Sequence, residues 1–525
     1  MRATRQLVVA ATIATAAALA SMAGCAVSES DVHRWETTEG GPEKLYALVT
    51  HDKYAPALRE EAALSLIHMR PRNGKRIGLE YLILGYDTPQ GKMQGALSVL
   101  PDDARKRIVD DITPKLVDLM SQPPPSRPTD GSPVLPDPSV PYKDAAFGLL
   151  SHEPPLATDE ASKSALVAAL TKWVQTDFEV RVDTSSQQFG VEQIMRFLGA
   201  PSVKSLPGTI NQESTKNDKA CQLIADIGDD ETKKRASEAL VALAKQLDSP
   251  AWVDKQRALI NESNLRSHLT PSPEQVNSQL KSYQEQELEK TFTNMKRVGG
   301  RPAVEYCLSY AKDRGKSEKM RTDALAAIEN RMDKNVPGDF QTVFDIIRDG
   351  TNPDAVRGVA MARLGELPKD MIVGKLYSLF DDKKWQVRLD AAKLVLKVIT
   401  TKDVPEFLRH LPADAKTAKM GLSEPIAYGL TIMAMDPKGG PKPRDVLNGF
   451  LGSPDLGAML TVVGSYYNAK KADASALTQL EGDKMPLGKC EPADNCGWEC
   501  TVNKESKTPT TVGEFVKWCI EPSLQ

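Results

Sequence analysis

Two stretches decide the fold: Val356-Arg357-Gly358-Val359-Ala360-Met361-Ala362-Arg363-Leu364 and Val387-Arg388-Leu389-Asp390-Ala391-Ala392-Lys393-Leu394-Val395. In each an apolar residue precedes an Arg, and small Ala residues then alternate with Leu, Met or Val at helical spacing. The same pattern stands at Met320-Arg321-Thr322-Asp323-Ala324-Leu325-Ala326-Ala327-Ile328 and at Leu58-Arg59-Glu60-Glu61-Ala62-Ala63-Leu64-Ser65-Leu66. The arginines 321, 357 and 388 are 36 and 31 residues apart. A period of that size marks stacked supersecondary units, each too small to bury its apolar face alone.

The chain has 525 residues, too many for one hydrophobic core, which stops growing at about 250–300 residues. A repeat array resolves that excess. Helical periodicity runs from about residue 42 onward and strand alternation is nearly absent. A hydrophobic share of 41% and a charged share of 26% exclude wholesale disorder and a polytopic membrane protein. A net charge of -3 gives no basic footprint, so nucleic acid is not an expected partner.

These segments resemble HEAT-type repeats, helix pairs stacked into a superhelix, over most of residues 45–470 and most sharply at 352–400. Gly365 matches the glycine that ends the helix in such repeats. Degenerate copies follow Ile227-Gly228-Asp229-Asp230, at Lys234-Arg235-Ala236, and stand at Tyr142-Lys143-Asp144-Ala145-Ala146. The resemblance implies an all-α solenoid. It also implies that the repeated Arg pairs with an Asp in the turn before its helix. Asp381 or Asp382 precedes Arg388 at that distance and Asp52 precedes Arg59, with Arg321 and Arg357 at the same position of their units. The competing reading is an anion-binding ladder.

The first residues carry an address. Met1-Arg2-Ala3-Thr4-Arg5 is followed by an uncharged run from Leu7 to Ala20, too short for the ~20 residues of a membrane span, and then by small residues. Met22-Ala23-Gly24-Cys25 resembles the lipobox of bacterial lipoproteins. The resemblance implies removal of residues 1–24, acylation of Cys25 and a short tether over 25–42. Ordinary cleavage at Ala18-Leu19-Ala20 is the alternative. Loss of Arg2 and Arg5 would take the charge from -3 to -5. Ala26 after the lipidated Cys favours the outer membrane, by similarity to the sorting rule of enteric bacteria.

Three segments depart from the array expected over 43–480. Residues 121–141 hold eight prolines and read as an extended insertion. Ser272-Pro273-Glu274-Gln275 reads as a capping box opening a long helix that stops at Gly299-Gly300, with Val276, Leu280, Tyr283, Leu288, Phe292 and Met295 as one apolar stripe. Residues 481–525 hold Cys490, Cys496, Cys500 and Cys519, whose C-x5-C-x3-C-x18-C spacing lacks the C-x2-C knuckles of common zinc sites. In an oxidising compartment they read as two disulfides with three connectivities open, stapling a cap over the last repeat. Thr511-Val512-Gly513-Glu514 opens a final helix that Cys519 would tie back. Trp498 is either core of that cap or a partner anchor, and Cys221 and Cys307 read as buried thiols.

No catalytic constellation emerges. The six histidines are scattered, with His68 reading as a helix-surface or satisfied core residue. Ser278-Gln279-Leu280-Lys281 and Ser309-Tyr310-Ala311-Lys312 match S-x-x-K but lack its companion motifs. The expectation is a non-enzymatic envelope lipoprotein without cofactor or metal, binding envelope proteins through its repeats and the membrane through its lipid. The alternative is an enzyme or ligand-binding protein whose site is assembled from distant residues.

Overall fold

The computed structural model describes residues 27–523 except 73, 127, 129–131, 134, 177–180, 182, 186, 435–442, 469–473, 490–496 and 503. Cys25, Cys490 and Cys496 lie outside the described residues. The chain packs into two units, one up to Ala239 and one from Leu240.

In the first unit, helices α1 (Gly41–Thr50) and α2 (Pro56–His68) form a hairpin. A short helix α3 (Ile77–Leu79) runs into a π-turn (Glu80–Leu84) and then an antiparallel hairpin of β1 (Tyr86–Thr88) and β2 (Gly91–Met93). Helix α4 (Asp102–Met120) packs on α2 and also on α5 (Val140–Ser151) and α6 (Glu160–Gln175). Between Met120 and Val140 the described residues form no helix or strand, as the prolines require. Helices α7 (Val191–Leu198) and α8 (Asn217–Ile227) follow, and the unit boundary falls inside α9 (Asp230–Leu247).

The second unit opens with α10 (Pro250–Arg266) against the long α11 (Pro273–Val298). The Ser272 hydroxyl accepts from the Gln275 N–H and the Gln275 side chain answers the Ser272 N–H, so the capping box is formed. Gly299, at φ +74, ends the helix in a conformation that favours glycine. The apolar stripe is buried except for Tyr283, which is 38% exposed and stacks on Trp252 at 5.7 Å.

Three HEAT-like pairs come next: α12 (Arg301–Lys312) with α13 (Glu318–Ala327), α14 (Pro337–Arg348) with α15 (Asp354–Leu364), and α16 (Lys369–Tyr377) with α17 (Trp385–Val398). The second helices stack as α13 on α15 on α17, while α12 packs on α14. Ala324, Ala360 and Ala391, each three residues after its Arg, have no exposed surface, and Ala62 repeats this in α2. The small side chains bring neighbouring helices close. The fully buried Leu364 and Val395 beside them are each worth about 1.5–3 kcal/mol relative to exposure. The array is thus an all-α solenoid segment of the kind the repeated pattern implies.

Helices α18 (Ala415–Gly421), α19 (Glu424–Ala434) and α20 (Leu456–Asn468) complete the array. The tail folds onto them: a bridge joins Pro486 to Thr511, and the antiparallel strands β3 (Cys500–Val502) and β4 (Glu505–Lys507) precede α21 (Val512–Phe515) and a π-turn (Val516–Ile520). A disulfide joins Cys500 to Cys519, tying the final helix back as the sequence suggested. Trp498 is 6% exposed, meets Phe515 edge to face and lies under the Lys419 ammonium of α18, so it is core of the cap. The two small hairpins were not legible in the helical periodicity.

Candidate functional site

Each repeated Arg is the fourth residue of its helix, and the side chains of Arg59, Arg321 and Arg357 turn back to the end of the helix before. Arg321 Nε donates to the Ala311 carbonyl at 2.7 Å, Arg357 Nε to Ile347 at 2.6 Å and Arg59 Nε to Val49 at 2.9 Å. The acceptor is always the penultimate residue of the first helix, whose last carbonyls have no intrahelical partner. A cation there also complements the helix dipole.

The other arm of the guanidinium reaches forward. Arg321 Nη2 donates to Asn352 Oδ1 at 2.7 Å, and Arg357 Nη2 to Asp382 Oδ2 at 2.6 Å. Asn352 and Asp382 stand in the connections before α15 and α17, so each bond sews one pair to the next. The Asp382 pairing therefore runs from the preceding repeat and not from Arg388 six residues on. Asp381 and Asp52 are exposed and form no ion pair among the described residues. Arg388 departs from the pattern: it is 2% exposed, its Nε and Nη2 have no partner, and its guanidinium lies 5.7 Å from the Trp385 ring. The cause is length. Five residues connect the two helices of the Arg59, Arg321 and Arg357 pairs, whereas Ser378 to Lys384 makes seven, and this longer connection opens in turns whose Leu379 N–H already takes the penultimate carbonyl, that of Leu376, at 3.0 Å. Arg321, Arg357 and Arg388 are buried inside the array, so the ladder is a structural device.

Lys143, in a degenerate copy, is buried more completely still. Its Nζ meets Asp183 Oδ2 and the Phe189 carbonyl at 2.7 Å, Asp144 Oδ1 at 2.8 Å and Ser185 Oγ at 3.0 Å. Arg76 Nε closes on Asp144 Oδ2 at 2.8 Å, and the Arg181 guanidinium pairs with Asp137 above the Trp173 ring. Burial pushes the Asp144 carboxyl above the usual carboxylate range against the pull of Lys143. Lys143 and Asp144 have no exposed surface, so the cluster reaches no solute and serves to pin Asp183, Ser185 and Phe189 onto α5. His68 is a surface residue bonded to Glu36 at 3.1 Å, and the two S-x-x-K matches lie on exposed faces of α11 and α12.

Among the described residues of the second unit, a groove of about 580 Å³ lies open on the α15 and α17 face. Its floor is Gly358, Met361, Ala362, Gly365 and Leu394. A side chain on Gly358 would meet nothing within 4 Å, whereas one on Gly365 would run into Leu394 at 2.8 Å. Gly365 has an ordinary φ of -67 and ends α15, so its smallness is needed for close packing and not for a left-handed turn. One wall is acidic. Glu366 accepts the Asn330 N–H at 2.7 Å and approaches Arg363 at 3.0 Å, and burial raises its carboxyl above the ordinary range. Glu329 beside it is held low by the Lys296 ammonium. The other wall carries Lys393 and Lys397, with Asp390 3.4 Å from Lys393. A narrow apolar floor between walls of opposite charge suits an extended peptide. The sequence signal for it was Gly358 and Ala362, small residues four apart on an exposed helix face where long polar side chains are the rule.

No family model matches the chain, and no curated protein matches it. Among solved structures it is similar to Kap121p bound to Pho4p, with 13% identity and a TM-score of 0.29, covering 85% of this chain and 46% of that one. Importin beta gives 13% identity and a TM-score of 0.23 over 86% of this chain and 60% of its own. UNC-45 from Drosophila melanogaster gives 12% and 0.23 over 92% and 63%. The chain thus spans about half the length of the Kap121p chain it resembles.

Proposed function

We propose that the chain is a lipid-anchored lipoprotein of the bacterial envelope whose helical repeats act as a scaffold for binding other proteins. The groove over α15 and α17 carries this reading, because its apolar floor and its walls of opposite charge are matched to a polypeptide strand. Met22-Ala23-Gly24-Cys25 supports the anchor, and several acyl chains at ~0.8 kcal/mol per buried methylene make attachment stable. Crosslinking in native cells followed by mass spectrometry is expected to recover defined partners linked to Lys393 or Lys397. Gly358→Arg, whose Cβ meets nothing within 4 Å and whose side chain would occupy the groove, is expected to lose those links while the helical circular dichroism stays unchanged. Links that persist in the variant would reject the groove. Cys25→Ala is expected to move the protein from the membrane to the soluble fraction, and unchanged partition would reject the anchor.

A further inference from the structure

The first unit has a second concavity, of about 700 Å³, unrelated to the groove above. It is built where the chain leaves helical geometry. After α3 the π-turn Glu80–Leu84 adds a residue to the helical turn, and Gly85 follows at φ +85. A side chain at Gly85 would strike the Met93 carbonyl at 2.5 Å, so only glycine lets the β1–β2 hairpin fold back there. The consequence is that Tyr86 lies flat on Tyr81, ring centroids 3.8 Å apart and planes within 15°. Tyr46 meets both rings edge-on, at 6.3 and 5.7 Å, and holds the pair from the side. The Tyr81 hydroxyl donates to Glu43 Oε1 at 2.6 Å, and the Arg72 guanidinium is fixed on the Thr38 and Glu39 carbonyls at 2.7 and 3.1 Å. π-turns inside helices recur at binding and catalytic sites.

Besides the bonded Glu43, Arg72 and Tyr81 hydroxyl, five charged side chains line the recess. Glu39, Glu80 and Asp87 face the recess together with Lys75 and Lys92, yet these five make no ion pair with one another among the described residues. Acceptors and donors thus alternate around an aromatic wall. An inorganic anion would meet four carboxylates, Glu43 included, and an organic cation would meet two ammoniums and the Arg72 guanidinium. A neutral polyol meets neither penalty: each hydroxyl both donates and accepts, and the C–H face of a sugar ring fits the electron-rich face of tyrosine. The volume lies within the range of small-ligand sites.

We infer that this recess is a carbohydrate-binding site, taking a neutral oligosaccharide against the Tyr81–Tyr86 pair with its hydroxyls on Glu43, Asp87, Lys75 and Lys92. The site belongs to the first unit, and its assignment does not rest on the peptide groove. Isothermal titration of the full chain tests it with two probes, chitohexaose for amino-sugar chains and maltohexaose for plain glucans. Saturable binding of one probe is expected, weakened about tenfold by Tyr86→Ala, the loss of one stacked ring. Asp87→Asn and Lys92→Gln, at exposed positions whose change leaves the hairpin intact, are expected to weaken it about threefold each, and Gly358→Arg to leave it unchanged. Binding of neither probe at millimolar concentration, binding that Asp87→Asn and Lys92→Gln do not alter, or binding of tetramethylammonium in place of both would overturn the assignment.

Discussion

Arg357 and Arg388 occupy the same position of successive repeats and are both buried, yet they differ in what their guanidiniums touch. Arg357 satisfies a helix-end carbonyl and an Asp. Its replacement by Met strands both partners, and a loss of about 3–5 kcal/mol is expected in chemical denaturation of the second unit. Arg388→Met removes two donor nitrogens, Nε and Nη2, that have no acceptor, each costing about 1–3 kcal/mol, so that variant is expected to be neutral or more stable. Equal losses in the two variants would contradict the ladder geometry. Cys307 makes a chemical contrast at the same scale. Burial pushes its thiol up to about 12, so at neutral pH the thiolate that reacts is scarce. A thiol-reactive dye is expected to label Cys307 only after unfolding, followed by mass spectrometry of the labelled peptide. The importance of Arg357 was legible because it recurs; its partners were not, since Asn352 and Asp382 serve one role with different side chains at different spacings.

Connections and caps decide what the helices do. Five residues between paired helices put the Arg under a carbonyl, and seven at Ser378–Lys384 do not, a difference that spacing between arginines only hinted at. The capping boxes at Ser272 and Thr511 were readable because each is a local exchange over three residues. At the second, the N–H and hydroxyl of Thr510 hold the Glu514 carboxyl below the usual range. A carboxylate whose folded value is depressed contributes above its unfolded value and loses that contribution as pH falls through the folded one. Hydrogen exchange in α21 is therefore expected to be slow at neutral pH and to quicken, relative to intrinsic rates, as pH drops below about 4. Exchange insensitive to that descent would show that the box does not hold the helix. The hairpins at Tyr86–Met93 and Cys500–Lys507 escaped periodicity because three-residue strands are too short to show alternation.

At the scale of the molecule, the all-α repeat class and the stapled end were legible because both are written in recurring or clustered residues. The two concavities were less so. The Tyr recess gathers residues between 39 and 92, together with Gln188, through a π-turn that leaves no signature. The Lys143 cluster joins Arg76, Asp144 and Asp183, which only the packing of α5 brings together. The broken ladder has a mechanical consequence. Each of the two forward bonds, Arg321 to Asn352 and Arg357 to Asp382, is a rivet between adjacent pairs. After α17 the rivet is missing, since Asp414 turns to the Thr417 N–H at 2.7 Å and Arg388 holds nothing ahead of it. The junction after α17 therefore rests on the packing of α17 against α18 and α19, without the buried guanidinium bond that also joins the two pairs before it.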